Sequence, residues 1–576
     1  MPSDPRISAG HAPRAGSDAR TSDARPNDGG PTADRSGRGS RPTDSGPANS
    51  RPTDTRSDHG RGPRSSGSRG SDGRAGDARG GRRGAGPSTA ESGARPLVVA
   101  PAGSPGTELT WEAGGTLARR SVLPGGVRVL TEQVPGQRSV ALGAWIAVGA
   151  RDETGGHFGS THVLEHLLFK GTERRSAFDI AEAFDAVGGE SNAATGQEST
   201  CYHARVLDTD APLALDVITD MITSATLDPA ELENERGVIL DELAAAEDDA
   251  QDVAHERFAT AVLGTHPLGR PVGGTPESVR ALPRDVVAEH YRSYYRPDEL
   301  VLTAAGSLDH DELCERLTDL LERGGWELDP AAAPAPRRSA HDPMRGRPGV
   351  ADAGTGAGAV TGAGSAAGAG SAAGTEAEPG SAAVSRAVTV VRATEQAHVV
   401  IGAPALRAGD PRRWALALAT TILGGGMSSR LFQEVRERRG LAYSTYAWST
   451  SYAEAGYAGL YAGCAPDAVP EVATLLAGTL ADLAGDGPTA AELARAKGQL
   501  RGGLVLGLED NGARMSRLGS AEIVRGELTS VDATIELIDA VTAQEVADMC
   551  AFIAAGDRAA TVVGPVAPDA ADGLLG

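Results

Sequence analysis

The feature that most constrains this fold is an internal repeat. Leu227-Asp228-Pro229-Ala230-Glu231-Leu232, followed by Arg236-Gly237, lines up with Pro488-Thr489-Ala490-Ala491-Glu492-Leu493, followed by Lys497-Gly498. Glu247-Asp248-Asp249 and Leu508-Glu509-Asp510 keep the same register. Further on, Val287-Ala288-Glu289-His290-Tyr291 leading to Leu302-Thr303-Ala304-Ala305-Gly306 resembles Val546-Ala547-Asp548-Met549-Cys550 leading to Thr561-Val562-Val563-Gly564. A register that outlasts any one helix points to two copies of one architecture. Each copy mixes alternating strand-like runs, such as 139–148, with amphipathic helices, such as 211–227. That is an α+β pattern, met twice.

Two stretches fall outside the repeat. Residues 1–106 are Gly, Ser, Pro, Asp and Arg with almost no large apolar side chains. So little apolar surface does not offset ordering entropy, which predicts a disordered tail. It holds 17 Arg against 11 acidic residues, so the rest of a chain of net charge −22 stands at about −28. The tail's charges alternate in sign, as in a solvated spacer. It has no apolar core for secretion, and its repeated Asp argues against a transit sequence. Residues 329–386, through Gly354-Thr355-Gly356-Ala357-Gly358 and Gly-Ser-Ala-Ala units, read as a flexible linker between halves at 107–328 and 387–576.

Other classes are weakened by composition. No apolar run reaches transmembrane length, so no membrane partner is expected. Cys201, Cys314, Cys464 and Cys550 show neither metal spacing nor the density of a disulfide framework, which predicts a reducing compartment and a cytoplasmic location. A strongly acidic core without aromatic interleaving argues against nucleic acid.

The chemistry is concentrated in His162-Val163-Leu164-Glu165-His166. On a helix, positions i and i+4 share a face, so His162 and His166 can close on one cation, with Glu165 beside them. Two neutral imidazoles and a nearby carboxylate are what a hydrolytic zinc requires. The order reverses His-Glu-x-x-His, as in inverted zincins. A third ligand is needed, and the helical stretch 235–243 offers two carboxylates, Glu235 and Glu242, two turns apart on one side. Val238, Ile239 and Leu243 form its expected apolar stripe. One carboxylate can bind metal while the other supports a ligand by hydrogen bonding.

These residues resemble the zinc peptidases of the M16 (pitrilysin/insulinase) family, in detail the branch containing mitochondrial processing peptidase. Phe169-Lys170-Gly171-Thr172, Asn192-Ala193-Ala194-Thr195, His266-Pro267-Leu268-Gly269-Arg270 and Tyr291-Arg292-Ser293-Tyr294-Tyr295-Arg296-Pro297 extend the match, which runs from about 119 to 566 without the linker. The resemblance implies two homologous domains of the LuxS/metalloenzyme-like fold, each an antiparallel sheet packed with helices. It makes His162, His166 and Glu242 ligands of one Zn2+ per chain, Glu165 the general base and Glu235 a supporting partner. It places Asn192 and Ala193 on an edge strand that takes peptide by strand addition.

The second half lacks the ligands. The repeat sets Ala496 against Glu235 and Gly503 against Glu242. Aligning Gly171 with Gly440 sets Leu431 against His162 and Val435 against His166. Gly424-Gly425-Gly426 reads as a tight turn. Arg436 and Tyr443, seven residues apart, resemble the family's pair of donors to the oxyanion. The implied activity is zinc-dependent endopeptidase cleavage of extended peptides or small unfolded polypeptides. The implied assembly is a homodimer in which the zinc domain of one chain meets the Arg/Tyr domain of the other. The alternative is a non-catalytic scaffold or peptide-binding subunit of this fold, but such relatives lose ligands that this chain retains.

Overall fold

A computed structural model of the chain describes residues 98–99, 103–112, 115–336 and 385–575. The expected tail as far as residue 97, and linker residues 337–384, lie outside the described residues. The first half carries strands β1 (Val98–Val99), β2 (Glu108–Glu112), β3 (Leu117–Val122), β4 (Arg128–Gln133), β5 (Ser139–Ile146), β6 (Glu190–Thr195), β7 (Thr200–Leu207) and β8 (Leu300–Gly306). Its helices are α1 (Ser160–Leu168), α2 (Ala177–Asp185), α3 (Ala211–Ser224), α4 (Pro229–Asp248), α5 (Ala250–Leu263), α6 (Pro276–Ala281), α7 (Arg284–Tyr294) and α8 (His310–Arg323). The second half has β9 (Ala387–Val391), β10 (Ala397–Pro404), β11 (Ala442–Ser451), β12 (Gly456–Cys464), β13 (Glu527–Leu528) and β14 (Ala559–Gly564). Its helices are α9 (Arg413–Gly424), α10 (Val469–Asp486), α11 (Ala490–Gly507), α12 (Asn511–Ser520), α13 (Val531–Ala540) and α14 (Ala543–Ala555), with a π-helical turn at Phe432–Arg438.

The repeat is a repeat of topology. Strands run β2-β3-β4-β8-β5-β7-β6 in the first sheet and β9-β14-β10-β12-β11 in the second, so five strands correspond one to one. The pairs β4/β8 and β9/β14 are parallel and the remaining neighbours antiparallel, so each sheet is mixed rather than antiparallel throughout. Caps keep the register seen in the sequence. Asp228 and Thr489 accept from the first-turn N–H groups of α4 and α11, and Asp249 and Asp510 do so for α5 and α12.

One alignment is corrected. Gly440 follows the π-helical turn and precedes β11, as Gly188 follows α2 and precedes β6; both have left-handed φ, +64° and +61°. Its counterpart is therefore Gly188, not Gly171, and the counterpart of α1 is α9. Glycines recur wherever the chain needs positive φ, so one glycine is a poor anchor for an alignment. The conclusion survives, because α9 carries neither His nor carboxylate. The glycine run has a packing cause: a Cβ on Gly424 would lie 2.1 Å from the backbone N of Ala447 on β11.

Each half lends a helix to the other. The apolar face of α5, with Val253, Ala254, Phe258 and Val262, packs on Val400, Tyr457, Tyr461 and Val563 of the second sheet. Its repeat mate α12 lays Met515 and Leu518 on Ala141, Ala305, Leu130 and Val301 of the first. Buried Arg120 and Glu522 pair at 2.8 Å across the same junction, and β1 pairs with β13. The structured part of the first half thus starts earlier than residue 107. It also ends later than 328, for Gly125 N donates to Asp329 O and Ala335 N to Asp298 O.

Within Pro466–Asp486 an 18-residue window reaches a mean hydropathy of 1.2, long and apolar enough to cross a membrane, against the expectation that no run would be. The α10 side chains Val472, Leu476 and Leu483 are buried in the core of the second half. The four cysteines are free and buried.

Candidate active site

The zinc-motif helix has two unlike faces. Val163, Leu164, Leu167 and Leu168 are buried in the core of the first half. With that stripe turned inward, His162, Glu165 and His166 fall on the half-buried flank. No N-cap side chain starts this helix. Instead the buried Glu153 carboxylate accepts the N–H groups of Gly159 and Thr161, each at 2.8 Å. Burial pushes the Glu153 acid up to about 7.

Helix α4 supplies the facing carboxylates. Its buried ridge is Leu232, Glu235 and Ile239, and Val238 is 44% exposed, so the expected stripe through Val238 is corrected. Spacings of three and four residues carry that ridge on to Glu242, which places both carboxylates toward α1.

The groups converge. Nε2 of His166 lies 3.4 Å and Nε2 of His162 3.8 Å from Oε2 of Glu242. Donors about 2.0–2.1 Å from a tetrahedral zinc stand roughly 3.3 Å from one another, so His162, His166 and Glu242 fit such an ion. Nδ1 of His166 donates to Oε2 of Glu235 at 2.9 Å, since the carboxylate there only accepts, and this turns Nε2 toward Glu242. Lys170 donates to the other Glu235 oxygen at 2.6 Å. Burial works against charge on both partners, yet their hydrogen bonds prevail. His166 is raised to about 9, and Glu235 is held below the usual carboxylate range. Glu242 is lowered by its bond from His166, while burial drives His162 down to about 4.

Glu165 is no part of that triad. Burial raises its acid, and the Thr195 hydroxyl donates to its carboxylate. Thr195 ends β6, the edge strand of the first sheet, and Ala193 shares its face, packed in the core. Asn192 is exposed on the opposite face by strand alternation, so its side chain points away from Glu165. Ala193 N donates to Asn192 Oδ1 at 2.8 Å, so the two residues are joined on that edge. Lys170, Thr195 and Glu153 escaped the sequence reading as members of the site. The first two stood inside quoted motifs, but nothing local tells which carboxylate each meets.

Arg436 and Tyr443 come together with each other. The Arg436 guanidinium lies 4.4 Å from the centre of the Tyr443 ring and donates to the Tyr443 carbonyl at 3.1 Å. Tyr443 is 76% exposed. Among the described residues no hydrogen bond, ion pair or ring contact joins either to His162, His166, Glu242 or Glu165.

Residues 128–276 match the family model for insulinase (peptidase family M16), and residues 363–500 match that for the M16 inactive domain. An uncharacterized zinc protease of Streptomyces coelicolor is 44% identical over 460 residues, covering 80% of this chain and 92% of the relative. This chain belongs to peptidase family M16. An uncharacterized zinc protease of Bacillus subtilis is 34% identical over 449 residues, covering 78% of this M16 chain and 98% of the relative. An M16 inactive-domain structure from Pseudomonas fluorescens shares the fold with a TM-score of 0.63 at 18% identity, covering 80% of this chain and 99% of that one. A protease from Helicobacter pylori does so at 0.62 and 16%, covering 80% and 99%. Zinc is the cofactor of these M16 proteases, and the donor set above is suited to it.

Proposed function

We propose that this M16 protease is an endopeptidase acting on extended peptides or small unfolded polypeptides, with His162, His166 and Glu242 holding one zinc. The carrying observation is the triad, whose ligand atoms all lie within 4.8 Å of one another, with a half-buried acid beside it at Glu165. Zinc bound there supplies Lewis acidity toward the scissile carbonyl and its water. Glu165 receives the proton of the attacking water and returns it to the leaving amine. Thr195 holds that carboxylate, and Glu235 with Lys170 holds the His166 ring. The outer edge of β6, which pairs with no strand among the described residues, takes substrate as an added strand, with main-chain bonds that accept varied sequences. In this reading Arg436 and Tyr443 donate to the oxyanion from a second copy of the chain, so the working enzyme is a homodimer. The free, buried cysteines support a cytoplasmic location.

The test is an internally quenched peptide blocked at both ends. Glu165→Gln should retain one zinc per chain and lose at least about a thousandfold in turnover. Unchanged turnover in that variant removes Glu165 from the chemistry, and failure of the zinc-loaded wild type to cut the blocked peptide removes endopeptidase action.

A further inference from the structure

We propose that Glu454, on the β11–β12 turn of the half without zinc ligands, is a positioning residue for Glu165 in the other half. The inference rests on the reading of Glu165 as the base. Its starting point is Arg151, a buried guanidinium between two carboxylates. Nη1 donates to Oε1 of Glu198 at 2.8 Å, and Nη2 donates to Oε1 of Glu454. Glu198 belongs to the β6–β7 turn and also receives the N–H of Ala453 at 3.0 Å, next to Glu454. His266 Nε2 stands 3.3 Å from the same Glu454 oxygen. The side chains of Arg151, Glu198 and Glu454 are only 3%, 8% and 8% exposed.

Three buried charges are a poor way to add stability, because desolvation cancels most of their attraction and an apolar set packs as well. What such a set does well is fix a geometry: one guanidinium has two defined directions, and each is taken by a different half of the molecule.

Arg151 is wired to the base along two routes. Ala150 N donates to Gly196 O and Arg151 N to Gln197 O, both at 3.1 Å, which knits this segment to the β6–β7 turn. Gly149 permits that approach, since a Cβ there would lie 2.4 Å from the Gln197 carbonyl carbon. The turn follows directly on Thr195, whose hydroxyl holds the Glu165 carboxylate. The second route passes through Glu153, two residues beyond Arg151, which caps the helix bearing Glu165. Arg270 joins the routes, accepting from Gln197 Nε2 at 2.6 Å through its carbonyl and donating to Glu153 O at 2.8 Å. Glu454 is thus the point where the second half sets the surroundings of the base.

The experiment uses the full, zinc-loaded chain with Glu454→Gln, which keeps size and removes charge, and with Glu454→Ala. Amide hydrogen exchange at Ala150, Arg151, Gly159, Thr161 and Gly196 should speed by about tenfold or more, with β8 unchanged. In the same variants kcat should fall about tenfold, KM should stay within about threefold, and zinc should remain at one per chain. If Glu454→Ala does not fold, Glu454→Gln alone decides. Unchanged exchange at those amides overturns the proposal, as does faster exchange with wild-type kcat, or a loss confined to KM or zinc content. A wild-type chain that cuts no peptide would fail the peptidase reading instead, and the exchange result would still decide whether Glu454 holds these segments.

Discussion

The Glu235 carboxylate bridges Nδ1 of His166 at 2.9 Å and Nζ of Lys170 at 2.6 Å. It therefore fixes the tautomer and tilt of one ligand ring without reaching the metal position itself. Glu235→Gln should weaken zinc binding by about 10–100-fold. Competition with a chromophoric chelator measures this, and wild-type affinity would remove Glu235 from ligand support.

Thr195→Val takes the hydroxyl from Glu165 and leaves the strand's shape intact. We expect kcat to drop by about tenfold at constant zinc content, because the carboxylate loses the partner that aims it. A drop in zinc instead of kcat would show that Thr195 supports the triad rather than the base.

The homodimer reading predicts complementation. Glu165→Gln and Arg436→Ala chains, each nearly inactive alone, should regain up to about one quarter of wild-type activity when unfolded or dissociated together and reassembled. Each mixed dimer then has one intact site and one doubly damaged site. Mixtures that stay inactive, although mass measurement shows mixed dimers, contradict a site shared between chains.

Glu153 gives stability a pH dependence. Its folded acid stands at about 7, above the usual 4.5, so the folded state holds the proton more tightly than the unfolded chain does. That contribution is complete below about pH 4.5 and is lost as pH rises through 7. Denaturant melts should therefore show wild type losing on the order of 3 kcal/mol relative to Glu153→Gln between pH 4.5 and 8. A difference that does not change with pH would mean the acid is not buried as described.

Phe258 belongs to the first half but is fully buried on the second sheet, with ring centres 5.9 Å from Trp448 and 5.8 Å from Tyr457. Phe258→Ala should cost about 3–5 kcal/mol. Because α5 and α12 are exchanged, both halves should unfold in one transition, read by denaturant titration with separate probes in each half. Two separated transitions would contradict that coupling.

Much was legible in the sequence where the physics is local. The i, i+4 spacing alone puts His162 and His166 on one helical face, and the seven-residue spacing does the same for Glu235 and Glu242. The caps at Asp228, Thr489, Asp249 and Asp510 are polar side chains a few atoms from the N–H groups they serve, so the repeat register written in them was already structural. Single residues are poor guides: Gly440 marks a turn that several elements need, and Val238 is apolar yet lies outside the ridge that packs.

The sequence by itself determined the two-fold repeat, the motif helix and the carboxylate helix, because hydrophobic period, capping and side-chain direction are settled within a few residues. Only the tertiary structure decided which of Glu235 and Glu242 faces both imidazoles, that Thr195 meets Glu165, that α5 and α12 change places, and that Arg151 shares itself between Glu198 and Glu454. Those contacts join residues 30 to more than 300 positions apart. Their partners are chosen by the way the sheets and helices pack, and no local pattern records that choice.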